Sequence, residues 1–360
     1  MRHFPKQLLC GMVCALASVS ACQVDLPVAS KIEHMRVLTA IARVDGDEER
    51  SSPAPGETAR VTWEMAFPDA TQDNSELASL FYVCTAPDRV SGAPVCQEFV
   101  ELALSGAAPG GGLGGLDGVD LPDCAKDPDR VWDLGPFSIV CVTGTPALDI
   151  KVLDNFKAEA KLMQGVICRN GTPRFDPKNP TQLNCVHAKG EKNAEEIAVY
   201  GTVPVQHDAT TENHNPSTEA AKLYLHDPPV LWEPSDEELD SELSDETCTD
   251  LAQEGRVMSS DGKDEETLTL RYDADAREKV EGKPEALTLS TYTTFGSLSN
   301  RFTVFRSDAK TPLKRTLSWE LEDEDREQLK KTSKYVRFYF TVQDGRGGYA
   351  LTRRDLCVVK

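Results

Sequence analysis

The sequence lacks a long apolar run beyond its first 22 residues, and it is poor in positive charge. No later segment approaches the roughly 18 consecutive apolar residues of a membrane-spanning helix, so the rest of the chain is expected to be soluble. Lysine and arginine number 39 against 59 aspartates and glutamates, which gives a formal net charge of −20. This balance argues against a nucleic-acid partner, whose phosphates would be repelled. It also argues against electrostatic docking on an anionic membrane surface.

The motifs of common catalytic sites are also missing. The sequence contains no GxSxG, HExxH or P-loop pattern. Gly110, Gly112 and Gly115 formally match GxGxxG, but no helix follows them, which favours a flexible loop over a dinucleotide site. Ser307 and Lys310 match SxxK, yet "KTP" replaces the partner motif KTG and the serine falls in a predicted turn. We therefore predict no catalytic activity and no cofactor.

The first 22 residues have the layout of a secretory signal. Arg2 and Lys6 precede an apolar stretch from Leu8 to about Val19, which is too short for a comfortable membrane span. The segment ends in "VSAC", an aliphatic residue and two small residues before Cys22. Lipoprotein signal peptidase prefers this pattern, so Cys22 is predicted to be the mature N-terminus and a lipid anchor.

The cysteine count predicts a disulfide framework. Of eleven cysteines, Cys10 and Cys14 lie in the apolar signal and Cys22 is the predicted anchor. An even number remains in a chain destined for an oxidising compartment, which predicts up to four disulfides. Chain proximity suggests the pairs Cys84–Cys96, Cys124–Cys141 and Cys168–Cys185, and Cys248 and Cys357 are the only two in the C-terminal half. No CxxC spacing occurs, which argues against a zinc site and against thioredoxin-type redox chemistry, and we predict no bound metal.

Short β-branched and aromatic runs between turn residues predict an all-β chain. In "ARVTWEMAF" the side chains of Val61, Trp63 and Met65 alternate toward a core. The final segment "KYVRFYFTVQDGRGGYALTRRDLCVV" reads as a hairpin whose glycines supply positive φ values. Only "DEDREQLKK" has helical periodicity. We predict a signal peptide over 1–21 and a lipidated tether over 22–33. Two tandem immunoglobulin-like β-sandwich domains are predicted to follow, one over 34–218 with long loop insertions and one over 219–360.

The segments "VSAC", "MRVLTAIA", "PAPGETARVTW", "ENHNPS" and "VRFYFTVQDGRGGYALTRRDLCV" carry a resemblance. They resemble the predicted outer-membrane lipoproteins of myxobacteria-type Gram-negative bacteria, which place immunoglobulin-like or cadherin-like β-sandwiches after a lipid-anchored cysteine. The resemblance spans nearly the whole chain and implies a fold and a cellular address, but no catalytic residues. Gln23 follows the cysteine where an inner-membrane retention signal would place Asp, which by resemblance to known sorting rules favours the outer membrane.

Two groups of residues are candidate ligand sites. The segment "VQHDATTENHNPS" and its flank concentrate histidines and acids, and its polar composition favours turn chemistry over a zinc site. The group comprises His207, Asp208, Glu212, His214, His226 and Asp227. The acidic loops lack the regular ligand spacing and the glycine of a calcium-binding loop. Calcium binding at the surface nevertheless stays an open alternative. Trp63 and Trp319 lie in alternating strands and are predicted core residues, whereas Trp132 and Trp232 flank loops and stay open as a sugar platform.

These observations predict a lipid-anchored envelope protein without catalytic activity. Loops at the ends of the sandwiches would bind an envelope protein or a glycan. One alternative is an envelope enzyme or solute-binding protein whose site is assembled from distant residues, and a buried pocket with convergent carboxylates or histidines would favour it. Another is an assembly subunit, which would present an uncovered sheet edge or a broad apolar patch.

Overall fold

The structure is a computed structural model in which most of the chain after residue 29 is described. The described residues are 30–86, 96, 98, 123–134, 137–176, 179–187, 194–208, 211–226, 228–233, 243–261, 265–309 and 313–360. Cys22, the glycine-rich loop with Gly110, Gly112 and Gly115, and most of the acidic run after Trp232 therefore lie outside the described residues.

The described residues of the first half of the chain form ten strands, which together we call the first unit. They are β1 Arg36–Val44, β2 Thr58–Ala66, β3 Leu77–Thr85, β4 Val131–Asp133, β5 Ser138–Thr143, β6 Ala147–Lys151, β7 Ala160–Arg169, β8 Gly171–Asp176, β9 Asn179–His187 and β10 Glu195–Pro204. A 3₁₀ turn spans Asn74–Glu76. One sheet has the order β1-β2-β6 and the other β10-β7-β3-β5-β4, while β8 and β9 form a separate hairpin.

The second half, the second unit, supplies the remaining strands. They are β11 Ala221–Leu225, β12 Val230–Leu231, β13 Met258–Ser260, β14 Glu265–Tyr272, β15 Lys279–Val280, β16 Lys283–Pro284, β17 Leu287–Thr293, β18 Ser297–Leu298, β19 Phe302–Phe305, β20 Leu313–Glu320, β21 Lys334–Gln343 and β22 Tyr349–Val358. Its two five-stranded sheets have the orders β12-β11-β14-β20-β18 and β13-β22-β21-β17-β19, and β15 and β16 form a small hairpin. The predicted all-β sandwich fold is confirmed.

Helices are few in the described part of the chain. Helix α1 spans Cys248–Gln253 and helix α2 spans Asp323–Leu329, and a 3₁₀ turn spans Ala274–Ala276. Sequence periodicity predicted α2, which begins with a capping box between Glu322 and Asp325, but it did not predict α1. Neither helix approaches the length and apolar character of a membrane span, and the described residues contain no other candidate.

The core of the first unit follows from strand alternation. Val61, Trp63 and Met65 are buried, as their period of two predicts. The Trp63 ring stacks on Phe81 of the facing sheet, with ring centroids 4.4 Å apart. This pair therefore joins the two sheets at the centre of the sandwich.

The core of the second unit is built around Phe338. The rings of Trp232 and Trp319 meet it edge-on, at centroid distances of 5.1 and 5.4 Å. Both indole N–H groups are satisfied inside the core, because Trp232 donates to the carbonyl of Asp355 and Trp319 donates to that of Phe295. Trp232 is thus a core residue and does not belong to a sugar platform.

Four disulfides are present, in the pairing that chain proximity suggested. Cys84–Cys96, Cys124–Cys141 and Cys168–Cys185 lie on the face of the five-stranded sheet that points away from Trp63. The β8–β9 hairpin, which sequence patterning did not predict, folds over this face and brings Phe175 to 5.7 Å from the Tyr82 ring. The disulfides and the hairpin together give this sheet a second buried face.

The two units contact each other through several segments. Ser30 and Ile32, from the end of the predicted tether, exchange main-chain hydrogen bonds with Thr293 of the second unit. The neighbouring Lys31 ammonium lies 3.0 Å from Asp325, a carboxylate that is 1% exposed. A small apolar cluster also spans the junction, and its buried members are Ile32, Leu38, Ala66, Tyr292 and Tyr339.

The disulfide Cys248–Cys357 closes a loop of 109 residues, whereas Cys84–Cys96 closes one of only 12. On the chain-entropy model, replacing both cysteines of the long loop by alanine lowers the free energy of unfolding by about 5 kcal/mol, against about 3 kcal/mol for the short loop. Urea denaturation of the two double variants beside the unmodified protein checks this order. Equal losses would contradict the entropic account.

Candidate functional site

A groove runs along the open side of the first unit, where it meets the second. Strands β1 and β10 are the edge strands of their two sheets, and the groove lies between them. It has a volume of about 980 Å³. Its floor includes the core residues Val61, Trp63 and Met163, and its far wall comes from the second unit through Ser290, Tyr292, Phe302, Thr341, Gln343 and Tyr349. The groove therefore offers apolar surface between two sheet edges that no described strand pairs with.

Side chains bind main-chain groups at the two ends of β1. At one end the Glu195 carboxylate accepts a hydrogen bond from the main-chain N–H of Met35, at 3.0 Å. At the other end the Asn215 amide donates to the main-chain carbonyl of Ala42, at 2.8 Å. Between these points no strand of the described residues pairs with the outer edge of β1 or β10. Side chains thus bind main-chain groups at both ends of β1, and no described strand pairs with its outer edge between them.

Aromatic side chains stand exposed at the rim. Tyr200 on β10 is 68% exposed, and Phe302 on β19, the edge strand of the second unit's sheet, is 52% exposed. Large apolar side chains at this exposure on a groove rim are typical of interaction surfaces. Strand alternation is the sequence signal that could have found Tyr200, because its neighbour Val199 points into the core.

Two arginines share one aromatic ring beside the groove. The guanidinium carbons of Arg36 and Arg301 lie 5.4 and 5.2 Å from the centroid of the Tyr292 ring, and Arg301 also donates to the Tyr292 hydroxyl. Burial, together with the charge of Arg301, lowers the pKa of Arg36, while Glu33 acts in the opposite direction. In a chain with a net charge of −20, this is a local concentration of positive charge. An anionic group is the ligand chemistry that it favours.

A polar network behind the groove joins the two units. Arg346, from the turn between β21 and β22, donates to the carboxylates of Glu278 and Glu285 and to the main-chain carbonyl of Glu212. Glu212 belongs to the segment that links the units, so one guanidinium contacts three separate parts of the chain. The charge of Arg346 is compensated there, although its side chain also lines the groove.

Asp344, in the same turn, is buried. Its carboxylate accepts hydrogen bonds from the main-chain N–H groups of Arg346 and Gly348 and from the Asn213 amide, at 2.7, 2.9 and 3.1 Å. Burial raises the pKa of Asp344, against the effect of these donors. A Cβ at Gly348 would lie 2.6 Å from the carbonyl oxygen of His214, so only glycine permits this approach.

The turn differs in detail from the sequence-based prediction. Of its three glycines, Gly347 has a positive φ of 101°. Gly345 and Gly348 do not adopt the left-handed conformation, and Gly348 is required by close packing instead. The hairpin itself is confirmed, since β21 and β22 pair along their whole length.

The histidine and acid cluster is dispersed in the structure. His207 contacts the main-chain carbonyl of Ala158, and His226 contacts the Glu266 carboxylate. His214 lies 3.4 Å from both Glu212 and Glu278, within the polar network. Asp208 closes a local turn with Thr211, and Asp227 lies outside the described residues. Turn chemistry and junction contacts therefore account for the described members of this cluster.

One set of side chains in the described residues has ligand spacing for a metal. It comprises Cys185, His187 and Glu196. The sulfur of Cys185 is bonded to Cys168, so it is no thiolate ligand. Two potential ligands remain, which is too few for a protein metal site of ordinary coordination.

The other sequence candidates do not join the groove. Trp132 is half-buried on β4 and lies under the guanidinium of Arg130, at 4.9 Å. Ser307 sits in a turn, and Lys310 lies outside the described residues. Sequence reasoning missed the arginine pair because Arg36 and Arg301 are 265 positions apart and meet only through tertiary packing.

Comparison with known proteins gives a few structural similarities. No family model matches the chain, and no curated protein matches it. Activated alpha-2-macroglobulin of Escherichia coli is 10% identical with a TM-score of 0.20, covering 92% of this chain and 22% of its own. Salmonella alpha-2-macroglobulin is 10% identical with a TM-score of 0.20, covering 93% of this chain and 15% of its own. The EC1-3 fragment of mouse protocadherin-24 is 13% identical with a TM-score of 0.16, and the match covers 93% of this chain and 94% of the fragment.

The chain thus spans about a fifth of the length of the macroglobulins that it matches. The low TM-scores leave its function to be argued from its own residues.

The raised pKa of Asp344 predicts a pH dependence of stability. A carboxyl group with a raised pKa in the folded protein stabilises the fold below its unfolded pKa of about 4, and this contribution is lost as pH rises through the folded pKa. The stability of the unmodified protein relative to Asp344→Asn should therefore increase as pH falls from 7 to 4.5. Urea denaturation midpoints at the two pH values measure this change.

Asp73 provides a control of opposite sign. Hydrogen bonds from the hydroxyl and main-chain N–H of Ser75 lower the pKa of Asp73, so its contribution is lost as pH falls. The loss sets in at the unfolded pKa of about 4, so the stability of the unmodified protein relative to Asp73→Asn should stay nearly constant from pH 7 to 4.5 and fall between about pH 4 and pH 3. If the stability difference between the unmodified protein and the variant changes with the same sign for both variants as pH falls, burial does not set the pKa of Asp344.

Proposed function

We propose that this protein is a lipid-anchored cell-envelope protein without catalytic activity, held in the outer membrane through Cys22, and that it binds a partner macromolecule in the groove between β1 and β10. The observation that carries the binding role is the groove itself, whose apolar floor lies between two sheet edges left unpaired by the described strands. Its exposed rim aromatics Tyr200 and Phe302 support the same role.

The anchoring part of the proposal rests on the sequence pattern at Cys22. Each buried CH₂ of an acyl chain contributes about 0.8 kcal/mol, and stable anchoring takes more than one chain. The diacylglycerol expected at such a cysteine meets that requirement. Eight residue steps separate Cys22 from Ser30, a reach of at most about 29 Å. Because Ser30 is hydrogen-bonded to the second unit, this unit would lie next to the membrane.

The disulfides support an extracytoplasmic location. Four disulfides join all eight cysteines that follow Cys22, and such frameworks persist in oxidising compartments. Cross-links of this kind stabilise a folded module by restricting its unfolded chain. The rival proposal of an enzyme or solute-binding protein has less support. The cavity lined by His214, Glu278 and Glu285 has a volume of only about 150 Å³, and Arg346 already engages both carboxylates.

Lipid anchoring predicts that Cys22→Ala abolishes incorporation of a palmitate analogue and removes the protein from the outer-membrane fraction. Cys14→Ala is the matched control, because it changes a signal cysteine that the proposal does not use, and it should behave like the unmodified protein. Labelling and membrane fractionation measure both outcomes. Retention of label in Cys22→Ala would contradict anchoring at this residue.

Partner binding in the groove is tested by site-specific photo-cross-linking in intact cells. Photoreactive p-benzoylphenylalanine in place of Tyr200 should give a discrete, identifiable adduct. The same group in place of Val131 is the control, because Val131 is 61% exposed on β4, the opposite edge of the same sheet. Equal adducts at both positions, or none at Tyr200, would contradict the groove as the binding site.

A further inference from the structure

We infer that an extended segment of a partner protein binds beside the groove by adding as an antiparallel strand to the outer edge of β19, with an acidic residue near its amino end opposite Arg306. The inference rests on the proposed binding function and names the class of ligand. Apolar side chains of the segment would lie next to Phe302, which lines the groove together with Tyr200.

Strand β19 is the last strand of its sheet, whose order is β13-β22-β21-β17-β19. It pairs antiparallel with β17 on one side, and no described strand pairs with its other side. An edge strand presents main-chain N–H and C=O groups that another chain can bind. The outer side of β19 is therefore a place where one more strand can extend the sheet.

The hydrogen-bond register shows which main-chain groups of β19 point outward. The N–H of Thr291 donates to the carbonyl of Arg301, at 3.0 Å, so these two residues form a hydrogen-bonded pair. Such pairs alternate with non-hydrogen-bonded pairs along an antiparallel ladder. Phe302 and Val304 lie at the alternate positions, and their N–H and C=O groups therefore point away from β17. Within the described residues no other segment binds these groups.

The side chains of the same two residues form an exposed apolar strip. Phe302 is 52% exposed and Val304 is 58% exposed, whereas the side chain of Phe305 points the other way and is buried in the core. The guanidinium carbon of Arg301 lies 4.7 Å from the centroid of the Phe302 ring and orients that ring. Exposed apolar side chains beside outward main-chain groups match the way in which a sheet edge binds an extended peptide.

The other edge strands of the described sheets lack this combination. Strand β12 carries exposed Val230 and Leu231, but consecutive residues of a strand point to opposite faces. Strands β4 and β10 each carry one large apolar side chain of comparable exposure, Val131 and Tyr200. Among the described edges, β19 is thus the one that joins two exposed apolar side chains on one face with outward main-chain groups of the same residues.

Arg306 gives the added strand its direction. It directly follows β19, is exposed, and by continued alternation lies on the same face as Phe302 and Val304. In antiparallel pairing, the partner residues opposite Arg306, Val304 and Phe302 follow one another from its amino end at every second position. An acidic residue followed two and four positions later by apolar residues is the complementary pattern, because opposite charges and apolar pairs across strands are favourable.

A second copy of this chain is a poorer complement to the edge. The residues that would face Arg306 in self-pairing come from Ser299 to Phe305, and none of them is acidic. Each copy also carries a formal net charge of −20, which opposes close association of two copies. A glycan offers no alternating N–H and C=O groups for the main chain of β19. These features favour a strand of a different protein.

The test uses the full mature chain in detergent and short synthetic peptides with blocked ends. The first peptide has the order Glu, Thr, Val, Thr, Val, Thr. The second has the reverse order, which places its glutamate at the carboxyl end, and the third replaces the glutamate of the first by lysine. Fluorescence anisotropy measures each Kd. The first peptide should bind about fivefold more tightly than the third, and also more tightly than the second.

N-methylation distinguishes the two edges of the bound peptide. The valine amides of the first peptide face β19 in the proposed register, so methylation of these amides should abolish binding. The threonine amides face away from β19. Methylation of the threonine amides is the matched control and should leave the Kd unchanged.

Variants of the protein test the same contacts from the other side. Arg306→Glu should reverse the preference between the glutamate and lysine peptides. Lys222→Glu is the matched control, because Lys222 is an exposed cation on β11, in the other sheet of the second unit, and it should leave the preference unchanged. Val304→Pro removes one outward N–H of β19 and should weaken binding of every peptide. If this variant does not fold, the two methylation patterns on the unmodified protein still decide the question.

Absence of peptide binding, equal effects of the two methylation patterns, or tighter binding of the reverse-order peptide would overturn the inference. A dimer in sedimentation velocity that Val304→Pro dissociates would also overturn it, because the edge would then belong to a second copy. The proposed function fails separately, through the cross-linking comparison of Tyr200 with Val131. A specific adduct at Tyr200 without peptide binding would overturn strand addition and leave the groove as a binding site for a different ligand.

Discussion

The buried carboxylate of Asp344 fixes the turn on which the junction of the two units depends. It binds two main-chain N–H groups of its own turn and the amide of Asn213 in the linking segment. Because Asn213 also contacts Ser51 and Ser52 of the first unit, three segments meet at one buried group. Burial of a carboxylate is unfavourable without such donors, so the contacts have to form together. The far wall of the groove follows from this arrangement.

The same turn holds Arg346 between carboxylates on two sides. The Glu285 carboxylate is largely buried, and burial raises its pKa against the influence of the guanidinium. At the opposite side of the junction, Lys31 meets the buried carboxylate of Asp325. Charged residues at the junction thus neutralise one another.

An acidic, disulfide-bonded β-protein needs its sheet faces covered, and this chain covers them in two ways. Facing sheets bury Trp63 and Phe81 in the first unit and Phe338 in the second. The outer face of the five-stranded sheet is covered by disulfides and by the β8–β9 hairpin. The edge strands β1 and β10 are two of the strands of the first unit whose outer edges no described strand covers, and both border the groove.

Local sequence patterns determined a large part of the fold. A period of two identified the strands and the inward residues Val61, Trp63 and Met65, because alternation depends only on neighbours along the chain. The even number of cysteines and their proximity along the chain predicted the disulfide pairs. The helical periodicity of a short segment predicted α2. The β8–β9 hairpin was missed because its sequence, interrupted by Pro173 and Pro180, shows little alternation, and α1 was missed because six residues are too few for helical periodicity.

The candidate site was beyond the reach of the sequence. His207, His214 and His226 look like one cluster in the sequence, yet the fold sends each to a different partner, because nearby positions on strands and turns point in different directions. Arg36 and Arg301 look unrelated in the sequence and share one ring in the structure. The sequence by itself determined the strands, the cysteine framework and the predicted anchor. Only the tertiary structure decided which strand edges stay open and which charges meet, because both depend on packing between residues far apart in the chain.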